Sequence, residues 1–117
     1  FKDGEQMRDF LYVKDAVAMT LHFVEKGIQA NGLYNLGSGD ANTWLTLTRA
    51  IFSALEKDPQ IEFIEMPEAL RGKYQYYTKA DISKLRATGY DRPMTPLAES
   101  VRDYVQTALV PDKRLGD

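Results

Sequence analysis

A short apolar run that passes straight into a helical repeat constrains this chain more than any other feature. Phe10-Leu11-Tyr12-Val13 is brief and β-prone and reads as a strand, whereas Val17, Thr20, Leu21, Val24 and Ile28 recur at the spacing of one helix face. Asp15 stands between them as the expected N-cap, and Gly27 as the expected C-cap. The switch then repeats. Gly32-Leu33-Tyr34-Asn35-Leu36 reads as a buried strand ended by the turn Gly37-Ser38-Gly39-Asp40. Thr43 then caps a second helix with the stripe Trp44, Leu47, Ile51, Phe52 and Leu55. Asp58-Pro59 stops that helix, and Ile61, Phe63, Ile64 and Met66 mark a third strand closed by Pro67. From Pro67 to Thr78 no period is sustained, so a loop with one extended piece is expected. Thr78-Lys-Ala-Asp81 has the form of a capping box for a short helix ending near Gly89. Thr95-Pro96 opens a last helix with Leu97, Val101, Tyr104, Val105 and Ala108 on its apolar face. Strands alternating with helices in this order make an α/β chain.

A chain of 117 residues has room for one domain and buries about 65% of its unfolded surface. Its 44% hydrophobic and 11% aromatic content excludes wholesale disorder. Fifteen basic against seventeen acidic residues, net −2, supply no global attraction to nucleic acid or to an anionic membrane. The absence of cysteine excludes a disulfide framework, a thiol nucleophile and a cysteine-based zinc site. No apolar run approaches the ~18 residues of a spanning helix, and no signal-type segment follows a basic start, so the chain reads as soluble and unexported. It opens on Phe1 rather than Met, which reads as a piece of something larger.

The chemistry is limited by what is missing. Gly37-x-Gly39 is the only Gly-x-Gly, it lacks the third glycine of a dinucleotide fingerprint, and there is no P-loop. None of the seven tyrosines is followed four positions later by lysine, so a Tyr-x-x-x-Lys proton-transfer pair is absent. His22, the single histidine, falls off the apolar stripe of the first helix and reads as solvated or half-packed. Asp9 and Asp15 flank a strand and Glu62 and Glu65 fall near a strand's faces, but paired-carboxylate hydrolysis needs a separation that sequence does not supply. No catalytic residue and no metal site is assigned. Arg71-Gly-Lys73-Tyr74-Gln-Tyr76-Tyr77 is more informative, because two cations and three phenols share one loop. Guanidinium and ammonium groups suit phosphate oxygens, and flat rings stack on bases or hydrogen-bond to phosphate or sugar. A surface loop whose tyrosines cover core fits the same composition. Arg8, beside Asp9, reads by itself as an ion pair or a solvated strand-end cation.

Taken together, three segments resemble the C-terminal part of the extended short-chain dehydrogenase/reductases, the nucleotide-sugar epimerases and dehydratases. They are Arg8-Asp-Phe-Leu-Tyr-Val-Lys-Asp15, Tyr34-Asn-Leu-Gly-Ser-Gly39, and Ala80-Asp-Ile-Ser-Lys-Leu-Arg86 with Gly89-Tyr90 and Pro93. Within that group Leu70-Arg-Gly-Lys-Tyr-Gln75, with Thr78-Lys-Ala-Asp81 and Leu85-Arg-Ala-Thr-Gly-Tyr90, most resembles the branch that epimerises ADP-heptose. The resemblance runs from Phe1 to Tyr104.

It implies that residues 1–110 are the C-terminal substrate-binding portion of such an enzyme and residues 111–117 a polar tail. The N-terminal Rossmann half, which would carry NADP and the catalytic Tyr/Lys pair, lies outside the chain. The implied reaction removes hydride from C6 of the sugar to NADP and returns it to the other face, in the cytoplasm of a Gram-negative bacterium making lipopolysaccharide inner core. Carried over by position, Arg8 matches the arginine on the substrate's phosphates and Tyr74 a tyrosine that contacts substrate. Arg71 falls where related epimerases place a phosphate-binding arginine, and Lys73 shares that load. Phe1, Lys2, Asp3 and Gly4 resemble the end of a substrate-contacting loop. The implied partners are an ADP-sugar, the missing Rossmann half and further copies in a homo-oligomer, with neither nucleic acid nor membrane. The chain alone is expected to be inactive. Two alternatives stay open: another nucleotide-sugar epimerase or dehydratase, or a freestanding binding module without catalysis.

Overall fold

The computed structural model describes residues 4–27 and 31–113. Among these the α/β reading holds, with two short strands and four α-helices. They are β1 (Met7–Arg8), α1 (Val13–Lys26), β2 (Asn42–Thr43), α2 (Trp44–Ala54), α3 (Ser83–Ala87) and α4 (Leu97–Tyr104). A 3-10 turn spans Glu68–Leu70, and α4 runs on into a π-helical turn at Val105–Leu109.

β1 and β2 pair antiparallel, with Met7 opposite Thr43 and Arg8 opposite Asn42. On its other side Met7 forms a parallel bridge to Tyr77. β1 therefore lies three residues before the expected Phe10–Val13 strand, and Val13 already belongs to α1. Residue preference nominated the apolar run, but a strand exists where backbone partners exist, and β2 and the Tyr76–Thr78 segment flank only Met7 and its neighbours. The expected strands at Gly32–Leu36 and Ile61–Met66 fail for the same reason. Among the described residues neither segment has a ladder partner, Leu33 is 88% exposed, and Phe63 and Ile64 also face solvent.

α1 carries apolar residues on two faces. The expected stripe is the open one: Val17, Leu21 and Val24 are 52%, 54% and 71% exposed. The opposite face is covered. Met19 is completely buried with Leu85 and Tyr90, and Leu11, Phe23 and Met94 pack around them. Ile28, the last member of the expected stripe, lies outside the described residues. Gly27 closes the helix as expected, its N–H reaching the Phe23 carbonyl. Asp15 does not cap it. Tyr12 occupies the N-cap position without a side-chain capping bond, and the Asp15 carboxylate accepts the Thr95 N–H and hydroxyl, each at 2.8 Å. That clasp joins α1 to the entrance of α4. It also occupies the Thr95 hydroxyl, so α4 begins one residue later than expected, behind Pro96.

Thr43 caps α2 as expected, accepting the Thr46 N–H at 3.0 Å. α2 and α4 pack together around Ala54, Val101 and Val105, with Leu47, Ile51, Leu55 and Leu97 at the margin. The Gln106 amide donates to the Ala54 carbonyl and ties the π-turn to the end of α2. The capping box at Thr78–Asp81 is an Asp-led turn instead: Asp81 accepts the Ser83 N–H, and only the five residues of α3 follow. Two separate small cores leave an open molecule. Its radius of gyration is 17.0 Å, against about 13 Å for a compact domain of this length.

Candidate functional site

β1 is the middle of three neighbouring chain segments. The Met7 N–H donates to the Tyr76 carbonyl at 2.7 Å, and the Thr78 N–H returns to the Met7 carbonyl at 3.2 Å. On the other side the Trp44 N–H donates to Gln6 and the Leu45 N–H to Gly4, both at 3.2 Å. This arrangement brings Arg8 to Tyr74 across 66 positions of sequence. The Arg8 guanidinium lies 5.0 Å from the Tyr74 ring centroid, within cation–π range, and donates to the Met7 carbonyl at 2.7 Å. Tyr76 meets the Tyr74 ring edge-on at 6.1 Å. Tyr74 is half-buried, and Tyr76 and Tyr77 are exposed. A planar cation braced on a phenol, with further phenols beside it, is a suitable surface for an anionic, ring-bearing ligand.

Of the other positions singled out in the sequence, Arg71 and Lys73 are exposed in the turn that leads to Tyr74. The Arg71 Nε reaches back to the Met66 carbonyl at 3.4 Å. The geometry thus joins Tyr74 to Arg8 and does not join Arg71 or Lys73 to that pair. Gly4 is buried, and a Cβ there would stand 2.6 Å from Leu45 Cγ, so this position lets the chain pass close over α2. Phe1, Lys2 and Asp3 lie outside the described residues.

Asp9 is the residue that sequence reasoning missed. It is not an ion-pair partner for Arg8. One carboxylate oxygen accepts the Ser38 N–H at 2.8 Å and hydroxyl at 2.6 Å, and the other accepts the Gly39 and Ala80 N–H groups, each at 3.0 Å. Burial by itself raises this carboxyl, but the Ser38 hydroxyl and the three amides together outweigh it and hold the group below its ordinary value. The signal was present as an Asp one residue after the strand and a Gly-Ser-Gly turn downstream, yet nothing in the spacing says that they meet.

The same contacts test whether the chain could hold a dinucleotide. In a glycine-rich loop, backbone amides face the pyrophosphate. Here the Ser38 and Gly39 amides are already taken by Asp9. The residues present do not fit that group.

His22 Nε2 is 2.8 Å from the Thr88 hydroxyl, and its ring meets Phe23 and Tyr90 edge-on, which matches the half-packed reading. Glu62 and Glu65 are exposed in a segment with no strand. Among the described residues no cluster could hold a metal ion, and no helix is long and apolar enough to cross a membrane. A groove of about 600 Å³ runs between α2, α4 and the segment before α1, lined by apolar side chains including Phe10, Leu47, Ile51, Leu97 and Val101. Tyr12, one of its lining residues, donates its hydroxyl to Asp103, which also accepts from Lys14 Nζ at 2.8 Å.

Residues 1–37 match the NAD dependent epimerase/dehydratase family. The chain is 46% identical to an ADP-L-glycero-D-manno-heptose-6-epimerase of Fusobacterium nucleatum, over 93% of its own length and 34% of that protein's. It is 45% identical to the enzyme of the same name from Nitratidesulfovibrio vulgaris, over 93% of its own length and 33% of that protein's. The chain is thus a homologue of part of these epimerases, and it spans about a third of the length of the relatives it matches.

Proposed function

We propose that residues 1–110 form the C-terminal, substrate-binding portion of an ADP-L-glycero-D-manno-heptose-6-epimerase, with 111–117 as its tail. The whole enzyme inverts C6 of ADP-D-glycero-D-manno-heptose by transient oxidation and reduction with NADP, in the bacterial cytoplasm, for lipopolysaccharide inner-core synthesis. In this reading NADP and the catalytic groups belong to a Rossmann half outside this chain, so the chain alone does not turn over. The occupied Ser38 and Gly39 amides support that division, as do the two extended segments that lack a ladder partner among the described residues.

The observation that carries the reading is the Arg8–Tyr74 pair, assembled from distant parts of the sequence. Arg8 presents N–H donors to the substrate's diphosphate and Tyr74 braces the guanidinium while offering its hydroxyl to phosphate or sugar. Arg71, Lys73 and the Phe1–Gly4 segment add contacts around it. The enzyme assembles as a homo-oligomer and engages neither nucleic acid nor membrane.

The test is a titration with ADP-heptose, with ADP-glucose, UDP-glucose and GDP-mannose as competitors. It is run on the wild-type sequence, Arg8→Ala and Tyr74→Phe, in this chain and in the complete protein. Binding should prefer ADP sugars, fall about tenfold or more in Arg8→Ala, and fall less in Tyr74→Phe, which keeps the ring. Equal competition by UDP or GDP sugars would reassign the chain to another nucleotide-sugar enzyme. Tight binding and a normal response to ADP sugars in Arg8→Ala would remove the diphosphate role.

A further inference from the structure

We propose that Asp9 is a positioning residue for the Arg8–Tyr74 pair, holding the segments that carry them at a fixed separation. This rests on the reading of that pair as the diphosphate contact. Tyr74 belongs to a turn attached to β1 by the Met7–Tyr76 and Met7–Thr78 backbone bonds. Beyond Thr78 the same segment reaches Ala80, whose N–H ends on Asp9 Oδ2 at 3.0 Å. From the opposite side, the turn before β2 reaches the same carboxylate through Ser38 and Gly39. One side chain, adjacent to Arg8, therefore joins both flanks of β1.

The closeness of those flanks depends on Gly37. A Cβ there would lie 2.3 Å from the Ala80 Cβ and 2.7 Å from Asp9 Oδ2. The turn, Ala80 and Asp9 are thus packed as tightly as an absent side chain permits. The Arg8 guanidinium stands 5.0 Å from the Tyr74 centroid, and the attraction is useful only within about 6 Å. Drift of roughly an ångström between the segments would separate cation from ring, and misplacement on that scale is enough to weaken an oriented contact.

The experiment uses the complete protein containing this chain, titrated calorimetrically with ADP and with adenosine. The variants are Arg8→Ala, Asp9→Asn, Ser38→Ala and the Arg8→Ala/Asp9→Asn double variant. Asn matches Asp in shape, but its NH2 cannot accept the Gly39 and Ala80 amides. Asp9→Asn should weaken ADP on the order of tenfold, as expected for residues of one network. It should leave adenosine unchanged and cause no further loss in the Arg8→Ala background. A merely structural role would lower both ligands. Ser38→Ala, which takes one of four donors from Asp9 and also ends the Ser38 hydroxyl's contacts with the Asp40 backbone, should give a smaller loss of the same diphosphate-selective kind, and it serves if Asp9→Asn does not fold. Equal losses for ADP and adenosine, or an additive loss in the double variant, would overturn the proposal. Unchanged ADP binding in Arg8→Ala would instead remove the diphosphate reading itself and the proposal with it.

Discussion

Asp9 shows how much of this structure is set at single positions. Its carboxylate accepts from Ser38, Gly39 and Ala80 and is held below its ordinary value in the folded state. A group depressed in this way stabilises the fold fully above its unfolded value of about 4, and that contribution is lost as pH falls through the folded value. Urea unfolding between pH 3 and 7 should therefore show a steeper acid loss for the wild-type chain than for Asp9→Asn, and parallel curves would contradict the argument. At neutral pH the variant should lose about 1–3 kcal/mol, since partners of a half-buried carboxylate are left unsatisfied. Gly37→Ala should cost about as much by overpacking, because the neighbour it meets is Ala80 Cβ, which cannot rotate away. Partial recovery of the unfolding midpoint in Gly37→Ala/Ala80→Gly would confirm that this contact is responsible.

Among the elements, α1 is the instructive one. Its 3.6-residue repeat correctly announced a helix, but the more prominent apolar stripe is the face left open. The buried face is carried by Met19 and Phe23, which the expected stripe does not include. Met19→Ala should destabilise the chain by about 2–5 kcal/mol, as for other truncations of buried large side chains. Leu21→Lys should change the stability of this chain by under about 0.5 kcal/mol, the surface norm. Unfolding midpoints for the two variants decide the point, and a Leu21→Lys loss comparable with Met19→Ala would mean that the stripe is covered in solution. Caps behaved unevenly for a similar reason. Thr43 caps its helix because its partner is three residues away, whereas Asp15 and Thr95 bond each other across 80 positions, a contact that local rules cannot foresee.

At the scale of the molecule, the open faces and the two small cores belong together. An apolar stripe on α1, an apolar groove beside α4 and a radius of gyration of 17.0 Å describe a chain with surface still to bury. The chain by itself should self-associate or melt at low temperature with weak cooperativity. Analytical ultracentrifugation with a thermal scan is the check, and a monomer with a sharp, high transition would count against it. Sequence by itself determined the α/β class, the helix positions, the Thr43 cap and the Gly37–Asp40 turn, because each depends on residues within a few positions of one another. It also carried the resemblance to the epimerases that the relatives bear out. Tertiary structure alone decided that the strands form at Met7–Arg8 and Asn42–Thr43 rather than at the apolar runs, which face of α1 was covered and what Asp9 binds. Each of those depends on a partner supplied from far along the chain, and the bond that forms is the one whose partner arrives.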